Sequence, residues 1–330
     1  MAALHYSGAG TAYVAARHVQ GAIVFMYHSV AEPDAAQWID SRNHIPAEGF
    51  QRHVRFLARH RSVVSMTELV DAVAGGRSLP AGTVVLTFDD GYLDNLTVAA
   101  PILARYRLPA TLYLATGYVR EGKPQWVDRL YSAFRARSQE TLWLDEPAPR
   151  RFALRSPRAV LAAYHLLCRS LLVADLAKRE AILQATEDQL APTEPPPRLT
   201  MTWDDVRQLR KCHPMFEIGV HTCDHLDLSV HSGEVARAQL EEPVAEIERE
   251  LGIQPRHFSF PYSRSAADTG ELVARTGFRS AVVAEEGVLI GAGADPLALA
   301  RIPAPRSMAL FRFMSSGAYP GLPRALFGRA

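Results

Sequence analysis

Thr83-Val84-Val85-Leu86-Thr87-Phe88 is a continuous apolar and β-branched run, and it ends on two adjacent carboxylates, Asp89 and Asp90, followed by Gly91 and Tyr92. A run without polar alternation reads as a strand buried on both faces, the kind found in parallel sheets covered by helices. Two neighbouring acids at its carboxyl end repel each other. They are held there when one is ionised beneath a cation and the other is tuned as a base. Ordinary turn chemistry is the competing reading of Asp-Asp-Gly. A second run, Phe216-Glu217-Ile218-Gly219-Val220, delivers His221-Thr222-Cys223-Asp224-His225, with two imidazoles four residues apart. Two neutral imidazoles and one carboxylate suit a borderline cation such as Zn²⁺ and leave a position for water, as hydrolytic sites require. Two unpaired core histidines are the bland alternative.

The chain around these runs alternates strand and helix. Ala22 to Tyr27 reads as a first buried strand with His28 at its end, and Ser29 to His44 as a polar loop. Pro46 opens a helix to about His60 with Phe50, Val54 and Leu57 on one face. Val63-Val64 is a short strand, and Ser65 with Glu68 forms a capping box for a helix ending near Gly75-Gly76. Beyond the Asp89-Asp90 strand come a helix over Asn95 to Arg107 and a strand over Ala110 to Ala115. Residues 118 to 199 break the rhythm with helices over Ala159 to Leu172 and Leu176 to Leu190, closing on Pro195-Pro196-Pro197. The acid-free stretch Arg150-Arg151 to Arg158 reads as a solvated basic face. Thr202 opens a helix to Lys211, and Ser232 caps a long one to Leu251 that Pro243 should kink or interrupt. Strands at His257 to Phe260, Phe278 to Ala284 and Leu299 to Ile302, with a helix over Ala267 to Thr276, bring the count to about seven units. Parallel barrels gather chemistry at the carboxyl ends of their strands, where His28, Asp89, Asp90, His221 and Pro261-Tyr262 all fall.

Composition restricts the partners. With 48% hydrophobic and 22% charged residues and a net charge of +1, nothing points to nucleic acid. Three cysteines, Cys168, Cys212 and Cys223, make no disulfide framework, which suits a reducing compartment. Residues 1–20 lack a basic start followed by an apolar core, so a cytoplasmic protein is expected. Residues 296–330 carry Arg301, Arg306, Arg312, Arg324 and Arg329 beside Leu310, Phe311, Phe313, Leu322 and Phe327, without acids after Asp295. That tail is expected to touch an anionic membrane surface peripherally.

Taken together, Thr87-Phe88-Asp89-Asp90-Gly91, His221-Thr222-Cys223-Asp224-His225 and Phe260-Pro261-Tyr262 resemble the polysaccharide deacetylases, the NodB-homology family also known as carbohydrate esterase family 4. The resemblance runs from about Ala22 to about Arg301. It implies an α/β fold, a distorted seven-stranded (β/α) barrel with a helical insertion. Residues 22–117 and 201–305 would form the barrel and 118–200 the insertion, with 1–21 and 306–330 as flanks. It implies one divalent ion on Asp90, His221 and His225, Zn²⁺ first, with Co²⁺, Ni²⁺ or Mn²⁺ as alternatives. Asp89 matches the catalytic base, and Tyr262 the position whose backbone N–H faces the developing oxyanion. Such an enzyme removes N-acetyl groups from amino sugars of a polysaccharide, oligosaccharide or glycolipid. Deformylation or deacetylation of a small or lipid-linked sugar is the alternative reaction, and a carbohydrate-binding protein without catalysis the alternative class.

The departures are specific. Ser259 stands where the family's third motif carries an arginine, and Leu226 stands where a proline follows the second metal histidine. The family's catalytic acid is a histidine near the C-terminus, yet none follows His257. His28 is the expected substitute, because a closed barrel sets its first strand beside its last. Arg301, on that last short strand, is the candidate to orient Asp89 in place of the missing arginine.

Overall fold

The computed structural model describes residues 21–145, 149–231, 233–264, 269–284 and 289–317. Its strands are β1 (Ala22–Tyr27), β2 (Ser29–Ala31), β3 (His44–Pro46), β4 (Ser62–Val63), β5 (Thr83–Phe88), β6 (Ala110–Leu114), β7 (Thr141–Leu144), β8 (Arg150–Ala153), β9 (Phe216–Val220), β10 (His257–Ser259), β11 (Ser280–Ala284) and β12 (Leu299–Pro303). Seven of them pair in the order β1-β12-β11-β10-β9-β6-β5, and β5 returns to β1, so the parallel ring closes. The ring is distorted at β5. There β4 pairs with Thr83 and Val84 while β6 pairs with Thr87 and Phe88.

Every residue of β5 is buried, as its unbroken apolar run requires. Alternate side chains serve two cores. Val84, Leu86 and Phe88 face the helical layer with Phe50, Val54 and Leu57. Val85 joins Val24, Tyr113, Val282 and Leu299 inside the ring, packed on Met66, Leu69, Val70 and Val73 of the helix Met66–Ala74. That helix forms the barrel floor. Its first N–H groups, on Met66 and Thr67, donate to the Glu217 carboxylate at 3.0 and 3.3 Å. Gly219 is required inside the ring, since a Cβ there would stand 2.6 Å from the Tyr113 ring and 2.7 Å from the His257 carbonyl.

Most expected elements are present. The capping box at Ser65 and Glu68 and the helix Leu176–Leu190 lie where their patterns put them. Between Asn95 and Arg107 the helix is compound, a π turn over Asn95–Ala99 followed by α-helix over Ala100–Ala104. Pro101 has no N–H to give the Thr97 carbonyl, and the ladder widens just upstream. The helix Gly233–Leu251 continues through Pro243, so the proline does not interrupt it. A proline removes one ladder bond, and burial of Ala236, Leu240 and Ile247 holds the remaining turns together. Its expected cap, Ser232, lies outside the described residues.

Between β6 and β9 the chain builds a second core from helices Trp126–Ala136, Pro157–Leu172 and Leu176–Leu190 and the antiparallel hairpin β7–β8. Side-chain hydrogen bonds fasten it to the barrel mouth, among them Arg179 Nη1 donating to the Asp224 carbonyl at 3.1 Å. Tyr92 Oη donates to Asp128 Oδ2 at 2.7 Å, Tyr164 Oη to Asp40 Oδ2 at 2.8 Å, Gln125 Nε2 to the Asp90 carbonyl at 3.1 Å and Trp126 Nε1 to Tyr262 Oη at 2.8 Å.

The C-terminal segment returns to the barrel wall. Phe311 of the helix Met308–Met314 is fully buried, stacked 3.6 Å from the His53 ring and 4.8 Å from Phe25. Arg306 donates to the carbonyls of Ser41 and His44, and Arg312 lies over the Phe56 ring at 5.4 Å. Arg301 is buried as well. Arg301 and Phe311 of the expected membrane edge are thus buried in the fold, Arg306 and Arg312 stay exposed, and Leu322, Arg324, Phe327 and Arg329 lie outside the described residues. No helix among the described residues is long and apolar enough to cross a membrane.

Candidate active site

At the carboxyl end of β5 the Asp89 N–H donates to the Tyr27 carbonyl at 3.0 Å, which extends the β1–β5 register by one step and sets His28 level with Asp89. The chain then turns sharply, with Asp90 at φ +75°. Thr222 and His225 beside β9, and Tyr262 and Ser263 beyond β10, also take positive φ. Five of the seven non-glycine residues with positive φ among those described thus sit on the loops that meet here. Such backbone strain gathers where side chains must be aimed rather than merely packed.

The ligand atoms of Asp90, His221 and His225 all lie within 4.8 Å of one another. Asp90 Oδ1 is 3.6 Å from His221 Nε2 and 3.3 Å from His225 Nε2. It is buried and has no hydrogen-bond partner among the described residues. An orphaned carboxylate oxygen facing two imidazole nitrogens fits a cation between them. His221 Nδ1 lies 2.8 Å from the Ser259 carbonyl. A carbonyl only accepts, so Nδ1 carries the proton and Nε2 presents its lone pair to the site. Burial pushes the His221 pKa down to about 4, which keeps the ring neutral and ready to ligate. Gln239 Oε1 shapes the intervening loop by accepting from the N–H groups of Cys223 and Asp224 at 3.2 and 2.9 Å. One carboxylate and two imidazoles suit Zn²⁺ and related divalent ions.

Asp89 is held differently. Arg301 reaches it from β12 with Nη1 on Oδ1 at 2.7 Å and Nη2 on Oδ2 at 2.5 Å. Nη2 also donates to Ser259 Oγ at 2.6 Å, and Nη1 to Thr87 Oγ1 at 3.3 Å. The serine that stands at the family's arginine position thus accepts from an arginine supplied by another strand. Burial alone would raise the Asp89 pKa, but the charge of Arg301 and its hydrogen bonds outweigh it and hold the carboxyl below its usual range. Asp89 Oδ2 is 3.7 Å from His221 Nε2.

His28 lines the same cavity as Asp89, Asp90, His221, His225 and Tyr262. Its backbone is fixed by Asn95 Nδ2, which donates to the His28 carbonyl at 2.8 Å. Asp94 receives Ser29 Oγ at 2.5 Å and the Val30 N–H at 2.9 Å. Tyr262 contributes more than a backbone position. Its ring meets His225 edge-on at 4.6 Å and its hydroxyl donates to the His225 carbonyl at 3.2 Å. No motif marked that ring, nor Gln125, Trp126 and Asn95, because each works through partners distant in sequence. The cavity measures about 710 Å³, and Arg42, Asn43, His165, Cys168, Arg169 and Leu172 also line it.

A parallel barrel bearing a carboxylate and two imidazoles at its mouth, beside an arginine-paired second carboxylate, has the parts of a metal-assisted hydrolase. The sequence profile of the polysaccharide deacetylases matches residues 76–136 and 173–281, more than half of the chain, and the protein belongs to that family. The Bacillus subtilis (strain 168) protein YxkH, whose name places it among polysaccharide deacetylases, is 26% identical over 92 residues. That stretch is 28% of this chain and 30% of YxkH, under a third of each. The fold is shared with the Streptococcus pyogenes deacetylase PplD, solved in complex with acetate, at TM-score 0.60 and 17% identity, over 91% of this chain and 99% of that one. IcaB from Ammonifex degensii gives 0.57 and 17% over 91% and 98%. A de-N-acetylase from Aggregatibacter actinomycetemcomitans gives 0.55 and 18% over 88% and 99%.

Proposed function

We infer that the protein removes N-acyl groups, acetyl foremost, from amino sugars of a polysaccharide, oligosaccharide or glycolipid. The observation that carries this reading is the pairing of two carboxylates with opposite surroundings. Asp90 has an unpartnered buried oxygen among imidazoles, and Asp89 is clamped by Arg301. A divalent ion on Asp90, His221 and His225, most simply Zn²⁺, would lower the pKa of water and polarise the amide carbonyl. Asp89, kept ionised by Arg301, takes a proton from the attacking water. The Tyr262 N–H donates to the oxygen of the tetrahedral centre. His28 gives a proton to the amine nitrogen as the C–N bond breaks, so one water and one amide become a carboxylic acid and a free amine. Residues 22–117 and 201–305 serve as the catalytic barrel and 118–200 as its cover. Three free cysteines, Cys168, Cys212 and Cys223, support a reducing, cytoplasmic setting.

The test is mass spectrometry of acetate and formate released from a panel of N-acylated glycans by zinc-loaded protein. Acetate matched by free amine, released about 10²–10⁴-fold more slowly by Asp89→Asn, is expected. Zinc-loaded protein that releases neither acid from any amino sugar would overturn the reading.

A further inference from the structure

The family profile stops at residue 136 and resumes at 173, and the helix Pro157–Leu172 lies wholly in that gap. One face of this helix, Ala163, Tyr164, Leu167 and Leu171, is buried in the second core. A second stripe, His165, Cys168, Arg169 and Leu172, follows the i, i+3, i+4, i+7 spacing of a single helical face and lines the catalytic cavity. Part of the cavity wall is therefore built from residues that the family pattern does not dictate.

The charge of that wall is one-sided. The lining acids are Asp89 and Asp90, and the lining cations are Arg42, Arg169 and Arg301. Arg301 is consumed by Asp89. Arg42 places Nε and Nη2 on Asp40, yet its side chain stays 55% exposed. Arg169 is exposed and makes no hydrogen bond or ion pair among the described residues. An unpartnered guanidinium does nothing for packing, and its planar fork of donors matches a carboxylate or phosphate.

We propose that Arg169, flanked by Arg42, selects N-acyl amino sugars that carry an oxyanion, a phosphate ester or a carboxylate, held against the insertion helix while the amide reaches Asp89 and His28. This rests on the reading of the site as an amino-sugar amide hydrolase and adds the substrate's charge to it. Arg169 positions the sugar and takes no part in proton transfer.

The experiment measures binding by calorimetry to the zinc-loaded Asp89→Asn protein, with turnover by the unaltered enzyme in parallel. The probes are N-acetylglucosamine 1-phosphate, N-acetylmuramic acid and the neutral methyl glycoside of N-acetylglucosamine. At least one anionic probe is expected to bind about 10-fold tighter than the neutral one, the scale of a charge-assisted contact, and to lose that margin as salt rises. The two anionic arms separate phosphate from carboxylate. Adding Arg169→Gln brings the anionic-to-neutral ratio near one, while Arg169→Lys keeps part of it. A ratio near one in the starting protein, or one unaltered by Arg169→Gln, would overturn the proposal. Charge discrimination without acid release would instead fault the hydrolase reading, since binding is read independently of turnover.

Discussion

Asp89 and Arg301 form a pair that neither residue could leave without cost. Both are almost completely buried, and their two short hydrogen bonds offset the desolvation that burial imposes. Asp89→Asn keeps the shape and removes the base that the proposed reaction needs, so divalent binding should persist while kcat falls about 10²–10⁴-fold. Parallel loss of metal and activity would make Asp89 a ligand instead. Arg301→Gln leaves a buried carboxylate uncompensated and should lower stability by about 3–5 kcal/mol in urea unfolding. It also removes the charge that lowers the Asp89 pKa, so the acid limb of the pH–rate profile should move to higher pH. An unmoved limb would show that Arg301 only packs. Arg301 was legible in the sequence because the family's arginine position holds Ser259. That Ser259 itself receives Nη2 was not, since the bond joins β10 to β12 across 42 residues.

Closure of the ring makes His28 a neighbour of the Asp89 carboxylate. β1 pairs with β5 on one side and β12 on the other, so the residue after Tyr27 stands between the strands that supply Asp89 and Arg301. His28→Ala should retain fold and metal yet lose about 10²–10⁴-fold in turnover of an N-acetyl sugar. An activated aryl ester such as p-nitrophenyl acetate, whose phenolate leaves without a proton, should lose far less. Equal losses on both substrates would reassign His28 to structure. The barrel strands were legible because β1, β5 and β6 are continuous apolar and β-branched runs, and β9 is one broken only by Glu217. The hairpin β7–β8 was not, because each strand offers only four residues, too few to fix a period. The helix Trp126–Ala136, which brings Trp126 and Asp128 to the mouth, was lost inside a stretch read only as helical in general.

At the scale of the whole molecule the chain is fastened where the end of the described C-terminal segment meets the first barrel helix, and that fastening has a titratable group at its centre. His53 of the helix Ala47–His60 is 1% exposed, bonds Tyr27 Oη through Nδ1 at 3.1 Å and stacks under Phe311. Burial, with a smaller contribution from Arg52, pushes its pKa down to about 3. The unfolded chain takes up that proton near the ordinary histidine value, so between about pH 6.5 and about pH 3 the unfolded state binds more protons than the native one. Stability then rises with pH across this window and falls on acidification. From about pH 7 to about pH 5 the loss from this one group is about 2 kcal/mol. His53→Gln cannot take up the proton, and although it forfeits the ring stack it should flatten the dependence. The measurement is urea unfolding at several pH values in that range, with chelator present so that the metal ligands titrate alike in both proteins. A smaller slope in the variant is expected. Coincident slopes would mean that His53 titrates alike in the folded and unfolded chains and that the acid sensitivity of the fold originates elsewhere.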